Sequence, residues 1–232
     1  MFSAQLREEA NPVFEAIYQH PFVEGVANGH VPKEALIHYV KADYEYLTAF
    51  ARIYGLAVSK CETREEMDFY QSQINFVLHS EIHPHNVFCK VAGVKYEDLQ
   101  RMTPPPAADH YISHMMNSAV HGDIGELMAA LLPCPWTYQA LAAHIIETKE
   151  PDESNPFLEW IQFYASREDG MPDVTAELCK RLDKWAETAG SAAKERARKA
   201  FLKSCMLEHA FWEMATTEQD WMIPLKGESL HA

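Results

Sequence analysis

Cys134 lies between two prolines in Leu131-Leu132-Pro133-Cys134-Pro135-Trp136-Thr137-Tyr138. Proline suits the first position of a helix, where its missing N–H leaves no bond unmade. Pro135 therefore predicts a helix start with Cys134 as its N-cap, followed by an apolar run through Leu141, Ile145 and Ile146. A thiol there would face unpaired backbone N–H groups and the positive end of the helix dipole, which can bring a cysteine pKa from about 8.5 into the range ~3.5–7.5. The chemistry on offer is nucleophilic addition by a thiolate. The competing reading is a small buried hydrophobe, and acids elsewhere in the chain decide between the two.

Three apolar stripes with helical spacing each carry an acid. They run Leu36, Val40, Asp43, Leu47, Phe50, Tyr54; then Ile74, Leu78, Glu81, His85, Phe88; and last Phe201, Cys205, Glu208, Trp212, Ala215. Steps of three and four put each set on one inward helix face. A buried carboxylate must be paired, protonated or placed in a polar cavity. Glu81 has His85 one turn on as an expected partner, which gives it a supporting role. Asp43 and Glu208, on separate faces and joined by a candidate activated thiol, point to a polar pocket inside a helical core. Tyr46, Tyr111, Tyr138 and Tyr164 lie near these faces and offer flat apolar surfaces with hydroxyl tips. Such a pocket suits a planar, nitrogen-rich ring, stacked on the aromatics, with its N–H groups accepted by the acids and a thiolate at its edge.

Long helices must position these groups. No stretch shows sustained two-residue alternation. Breaks are predicted at Asn28-Gly29, Cys61-Glu62-Thr63, Thr103 to Pro106, Lys149 to Pro156, Asp169-Gly170-Met171-Pro172 and Ala189-Gly190-Ser191. Thr63-Arg64-Glu65-Glu66 reads as a capping box, and Ser191 as the cap of the last helix. None of the breaks is long enough for a flexible linker, so residues 1–232 are expected to form one all-α domain, a bundle of long helices covered by shorter ones.

The formal charge of −14 over 232 residues argues against nucleic acid or an anionic membrane as a general partner. The basic run Lys194-Glu195-Arg196-Ala197-Arg198-Lys199 reads as a solvated helix face. No segment approaches the ~18 apolar residues of a membrane span, and the first residues carry acids where a secretory signal needs an apolar stretch. Five cysteines, odd in number and without a Cys-x-x-Cys pair, fit reduced thiols. The expectation is a soluble cytoplasmic protein.

Five ordered blocks carry a resemblance: Lys41-Ala42-Asp43-Tyr44-Glu45-Tyr46-Leu47, Tyr111-Ile112-Ser113-His114-Met115, Leu132 to Tyr138, Trp160-Ile161-Gln162-Phe163-Tyr164 and Glu208-His209-Ala210-Phe211-Trp212. In order and spacing they resemble the signature blocks of TenA-type thiaminase II, and His20-Pro21-Phe22-Val23 is similar too. The resemblance implies a haem-oxygenase-like all-α helical bundle without haem, metal or other cofactor, assembled as a homotetramer. It implies hydrolysis of 4-amino-5-aminomethyl-2-methylpyrimidine, and of thiamin, to 4-amino-5-hydroxymethyl-2-methylpyrimidine in thiamin salvage. Carried over to this chain, Cys134 corresponds to the nucleophile, Glu208 to the proton-shuttling acid and Asp43 to the acid that holds the pyrimidine. Tyr111 and Tyr164 correspond to hydroxyl donors near the reaction centre, and Tyr46 and Tyr138 to aromatic walls. Pro135, where relatives can carry an aromatic residue, and Glu45, beside the anchor block, depart from the pattern and bear on substrate preference.

Two rivals use the same residues. A di-metal carboxylate oxygenase would take Asp43, Glu81, His85 and Glu208 as ligands, but such sites draw Glu-x-x-His pairs from bundle helices, and that spacing occurs here only at Glu228 and His231. A non-catalytic pyrimidine- or tetrapyrrole-binding protein would need the pocket without the thiol, with His20, His83 or His114 as a haem ligand.

Overall fold

The computed structural model describes residues 1–165 and 173–223. The predicted break at Asp169 to Pro172 and the Glu228/His231 spacing lie outside the described residues. Twelve α-helices follow one another in the described chain: α1 Phe2–Glu9, α2 Asn11–Tyr18, α3 Pro21–Ala27, α4 Lys33–Val58, α5 Arg64–His79, α6 Ile82–Ala92, α7 Pro106–His121, α8 Ile124–Leu131, α9 Pro133–Lys149, α10 Leu158–Ala165, α11 Val174–Thr188 and α12 Ser191–Thr217. A short 3₁₀ turn spans Tyr96–Leu99, and no strand occurs among the described residues.

Two long helices organise the rest. α4 packs on α5, α6 and α7, while α12 packs on α7, α8 and α9 and also meets α4. Their predicted stripes face inward: Leu36, Val40, Asp43, Phe50 and Tyr54 on α4 are buried, as are Phe201, Cys205, Glu208, Trp212 and Ala215 on α12. Between them an aromatic core forms, in which Tyr39 stacks on Trp212 at 5.4 Å and Phe88 on Trp160 at 5.4 Å. Close helix approach depends on one glycine: a Cβ added at Gly125 of α8 would lie 2.1 Å from the Trp185 ring of α11.

Thr63 caps α5 in a complete capping box, its hydroxyl accepting from Glu66 N–H while the Glu66 carboxylate accepts from Thr63 N–H. Ser191 does not cap the last helix. Gly190 occupies the N-cap, and Ser191 is already the first helical residue.

The larger correction concerns the Ile74–Phe88 stripe. It is not one helix face, because α5 ends at His79 and α6 begins at Ile82. Pro84 supplies the reason. A proline ring clashes with the carbonyl four residues back, here that of Ser80, and cannot donate to it. The Ser80 carbonyl accepts from His83 N–H at 3.0 Å instead, and the chain turns at Glu81. Leu78 consequently ends 57% exposed rather than in the core.

Candidate active site

A cavity of about 520 Å³, its open mouth included, lies between α4, α5, α9, α10 and the start of α11. α4 contributes Asp43, Tyr46, Leu47, Phe50 and Tyr54; α5 adds Gln73, Phe76 and Val77; α9 adds Cys134, Pro135 and Tyr138. Tyr164 of α10, Val174 of α11 and Glu81 at the α5–α6 turn complete the wall. Five of the seven sequence-predicted residues thus line one space: Asp43, Tyr46, Cys134, Tyr138 and Tyr164. Glu208 and Tyr111 do not line it. They lie fully buried behind the wall.

Cys134 is not an N-cap. Leu132, with helical backbone angles, is the residue before α9, and Cys134 is the second residue of that helix. Helices α8 and α9 run almost continuously through Leu132, whose N–H donates to Met128 and whose carbonyl accepts from Trp136 N–H. Pro133 and Pro135 carry no N–H at all. The open donors that would hold a thiolate are therefore missing around the sulfur. Burial pushes the Cys134 thiol well above its ordinary value, and the Glu208, Asp43 and Glu81 carboxyls push it further, against a smaller opposing pull from the Tyr46 hydroxyl. Burial and the neighbouring acids thus favour the protonated thiol.

Glu208 lies near enough for its charge to be felt by the thiol. Its Oε1 accepts from the Tyr111 hydroxyl at 2.7 Å and its Oε2 from Thr137 Oγ1 at 3.2 Å. Thr137 also touches the backbone carbonyl of Cys134, at 3.1 Å, and so ties the acid to the turn that carries the thiol. Burial raises the Glu208 pKa to about 7, with Asp43 adding to the rise and the Tyr111 and Thr137 hydroxyls opposing it. A carboxyl titrating there can both take and return a proton near neutrality. Thr137 was not among the sequence candidates. Its signal was its place three residues after Cys134, one turn along the same helix face.

Asp43 is held by His85, whose Nε2 lies 2.7 Å from Oδ2. The expected Glu81–His85 pair does not form. His85 is committed to α4, and the ring contributes nothing to Glu81 beyond a long-range field that lowers its pKa. Glu81 instead accepts from the Tyr164 hydroxyl, at 3.0 Å through Oε2. Burial raises its pKa to about 7, and Asp43 adds to the rise. Tyr138 has a neighbour on each side. Its hydroxyl bonds that of Tyr39, and its ring meets Tyr164 with centroids 4.8 Å apart. Tyr46 lies against Tyr111 at 5.0 Å. Of the two departures from the family pattern, Pro135 is on the cavity wall and Glu45 is not.

The ligands of the rival metal reading are engaged separately, His85 with Asp43, Glu81 with Tyr164 and Glu208 with Tyr111 and Thr137. No group of three or more possible metal ligands converges among the described residues. Two of the three histidines of the haem reading make structural bonds, His20 Nδ1 accepting from Phe22 N–H to cap α3 and His114 Nε2 bonding the Ala200 carbonyl, while the His83 ring lies against Phe163 at 5.8 Å. No helix among the described residues is long and apolar enough to cross a membrane.

Comparison with known proteins agrees with the blocks quoted above. The model of the TENA/THI-4/PQQC family matches residues 7–218. An aminopyrimidine aminohydrolase of Staphylococcus saprophyticus is 32% identical over 223 residues, covering 95% of this chain and 96% of its own. Among solved structures, a TenA family transcription regulator of a Silicibacter species superposes with a TM-score of 0.81 at 29% identity, over 94% of this chain and 97% of its own. A domain of unknown function with a heme oxygenase-like fold, from Shewanella denitrificans, superposes with a TM-score of 0.65 at 13% identity, over 93% and 92%. The all-α bundle has the haem-oxygenase-like fold.

Proposed function

Because the chain belongs to the TENA/THI-4/PQQC family, we propose that it is an aminopyrimidine aminohydrolase, a thiaminase II acting in thiamin salvage. Its substrates are 4-amino-5-aminomethyl-2-methylpyrimidine and thiamin, and its pyrimidine product is the 5-hydroxymethyl compound. The observation that carries the reading is one cavity that has a thiol, a carboxylate and tyrosines on its wall, with a buried carboxyl whose pKa is raised to about 7 tied to the thiol's turn.

The chemistry follows from what an aminopyrimidine resists. The aromatic ring does not readily release its exocyclic substituent, but a thiolate that adds to a ring carbon breaks the aromaticity and allows departure. Asp43, held by His85, anchors the ring through its nitrogen and amino group. Glu208 takes the thiol proton as the ring binds and relays it to the ring nitrogen, while the already protonated aminomethyl group leaves as ammonia and the thiazolium of thiamin as neutral thiazole. Water adds to the exposed methylene carbon, the Cys134 sulfur leaves, and the ring regains aromaticity. The high resting pKa of the thiol makes Glu208 more necessary here than an already ionised sulfur would. Tyr46 and Tyr138 flank the ring, and Tyr164 presents its hydroxyl on the same wall.

The proposal includes one catalytic domain over the chain, a homotetramer and a cytoplasmic location. The continuous core shared by α1 through α12 supports the first; sedimentation of the purified protein tests the second. The activity itself is tested by product analysis after incubation with each substrate. The hydroxymethyl pyrimidine is expected from both, and its absence from both would overturn the reading. Cys134→Ser is expected to bind the pyrimidine and lose most turnover, because a hydroxyl is far harder to ionise. Near-normal turnover in that variant would remove covalent catalysis from the mechanism.

A further inference from the structure

The cavity wall is one-sided in charge. Asp43 and Glu81 are its ionisable acids, and none of its described lining residues is Lys, Arg or His. Such a wall attracts cations and offers an anion no positively charged side chain among the described residues. Both proposed substrates are cationic at the substituent that leaves: an ammonium in one, a quaternary ring in the other. Asp43, on the reading above, is occupied by the ring nitrogen and 4-amino group. Glu208 is behind the wall, with both oxygens already accepting from hydroxyls. One lining acid is left over.

Glu81 has the geometry to serve. The turn forced by Pro84 lifts it out of the helical stripe and presents it at the α5–α6 junction, on the cavity wall. Tyr164 holds Oε2 at 3.0 Å, which fixes the carboxyl, while Oε1 makes no hydrogen bond within the described residues. The group is close enough to Asp43 and to the Cys134 thiol for its charge to be felt by both. It therefore stands beside the same reacting space and not in a separate chamber.

We propose that Glu81 is a specificity-determining residue that receives the positive charge of the leaving substituent, with Tyr164 orienting it. The inference rests on the proposed activity and adds a division of labour to it. Asp43 reads the ring, Glu208 exchanges protons with the thiol, and Glu81 reads the substituent. No bond is made or broken by Glu81. It distinguishes the cationic substrate from the neutral product, which favours release of the alcohol once it forms.

Equilibrium binding tests this without turnover, in the Cys134→Ala background and at mildly alkaline pH. The two ligands are the aminomethyl pyrimidine and its hydroxymethyl counterpart. Glu81→Gln is expected to weaken the cationic ligand by about 10–100-fold, the range for a lost charge-assisted hydrogen bond, and to leave the neutral ligand nearly unchanged. Glu81→Asp, which keeps the charge, should retain most of the preference. Equal weakening of both ligands, no weakening of either, or loss of the preference in Glu81→Asp as well as in Glu81→Gln would overturn the proposal. A Cys134→Ala protein with intact Glu81 that binds neither pyrimidine would overturn the proposed activity along with it. One that binds both, with selectivity indifferent to Glu81, would overturn this inference alone.

Discussion

Glu208 and Glu81 sit on opposite sides of the cavity wall and share one property: burial has pushed each carboxyl up to about 7. They differ in how much of the group is spoken for. Glu208, from α12, has a hydroxyl on each oxygen and no place on the wall. Glu81, at the turn between α5 and α6, has one hydroxyl and faces the cavity. A carboxyl bonded at both oxygens is held in one orientation and suits proton exchange with a fixed neighbour. A carboxyl bonded at one oxygen keeps an acceptor for a ligand. Similar acidity thus fits the two different duties proposed for them, and the hydrogen-bond pattern separates the two groups.

The sharpest way to break this comparison is to make the same substitution on both sides. Glu208→Gln removes the proposed proton carrier and is expected to lower kcat by ~10²–10⁴-fold, the usual scale of general acid–base help, with a smaller effect on KM. Glu81→Gln is expected to act mainly through KM for cationic substrates. Steady-state kinetics on the aminomethyl pyrimidine measures both. Matching losses in kcat for the two variants would show that the acids form one proton relay and are not two devices.

A smaller effect sharpens the Glu208 side. The Tyr111 hydroxyl donates to the Glu208 carboxylate and so holds its pKa down against burial. Tyr111→Phe removes that donor and leaves Thr137 alone. The carboxylate is then harder to form, so the pKa rises further above about 7. If the carboxylate is the form that takes the thiol proton, the acidic limb of the kcat/KM profile moves to higher pH while the plateau is largely kept. A limb that stays in place would assign it to another group, and a limb that moves to lower pH would contradict the direction of the hydrogen bond.

Much of this arrangement was legible before any coordinates, and the gaps have physical causes. The α4 and α12 stripes could be read because both helices are long and unbroken, so that position in sequence fixes position on a face. The stripe through Glu81 is not one helix face because Pro84, three residues after the acid, breaks the helix. Helical spacing alone also gives the wrong partner. Helical spacing placed His85 beside Glu81, whereas the turn hands His85 to Asp43, 42 residues earlier, a long-range contact that periodicity cannot report. Cys134 lines the cavity, but its surroundings are the inverse of the open helix end that its flanking prolines suggest. Pro135 reads as the helix start in the sequence, whereas Pro133 holds that position and α8 feeds into it through Leu132. The polarity of the setting depends on that shift from Pro135 to Pro133, since an open helix end stabilises a thiolate and a continuous helix in an acidic cavity does not.

The least dramatic prediction separates Glu81 as a stability element from Glu81 as a ligand acceptor. Had it been paired with His85, replacing it would have orphaned a buried partner and lowered the melting point. In the observed arrangement Gln can still accept from Tyr164, so the main change is loss of a titrating group. The folded-state pKa is raised from 4.5 to about 7, so between those values the folded protein binds more protons than the unfolded chain. Stability from this group is present below the lower value and is lost as pH rises through the upper one. Glu81→Gln does not suffer that loss. Its melting temperature minus that of the parent should therefore grow across this window and level off above it. After allowance for solvent at the cavity mouth, the change is about 1–2 kcal/mol, or roughly 3–6 °C for a chain of this length. Histidines whose pKa values are lowered by burial, such as His20 and His114, bend both melting curves alike and cancel in the difference. Thermal melts of parent and variant across the pH range supply the measurement. A gap that is negative at every pH would restore the supporting role for Glu81, and a gap indifferent to pH would show that its carboxyl titrates no differently in the folded and unfolded chain.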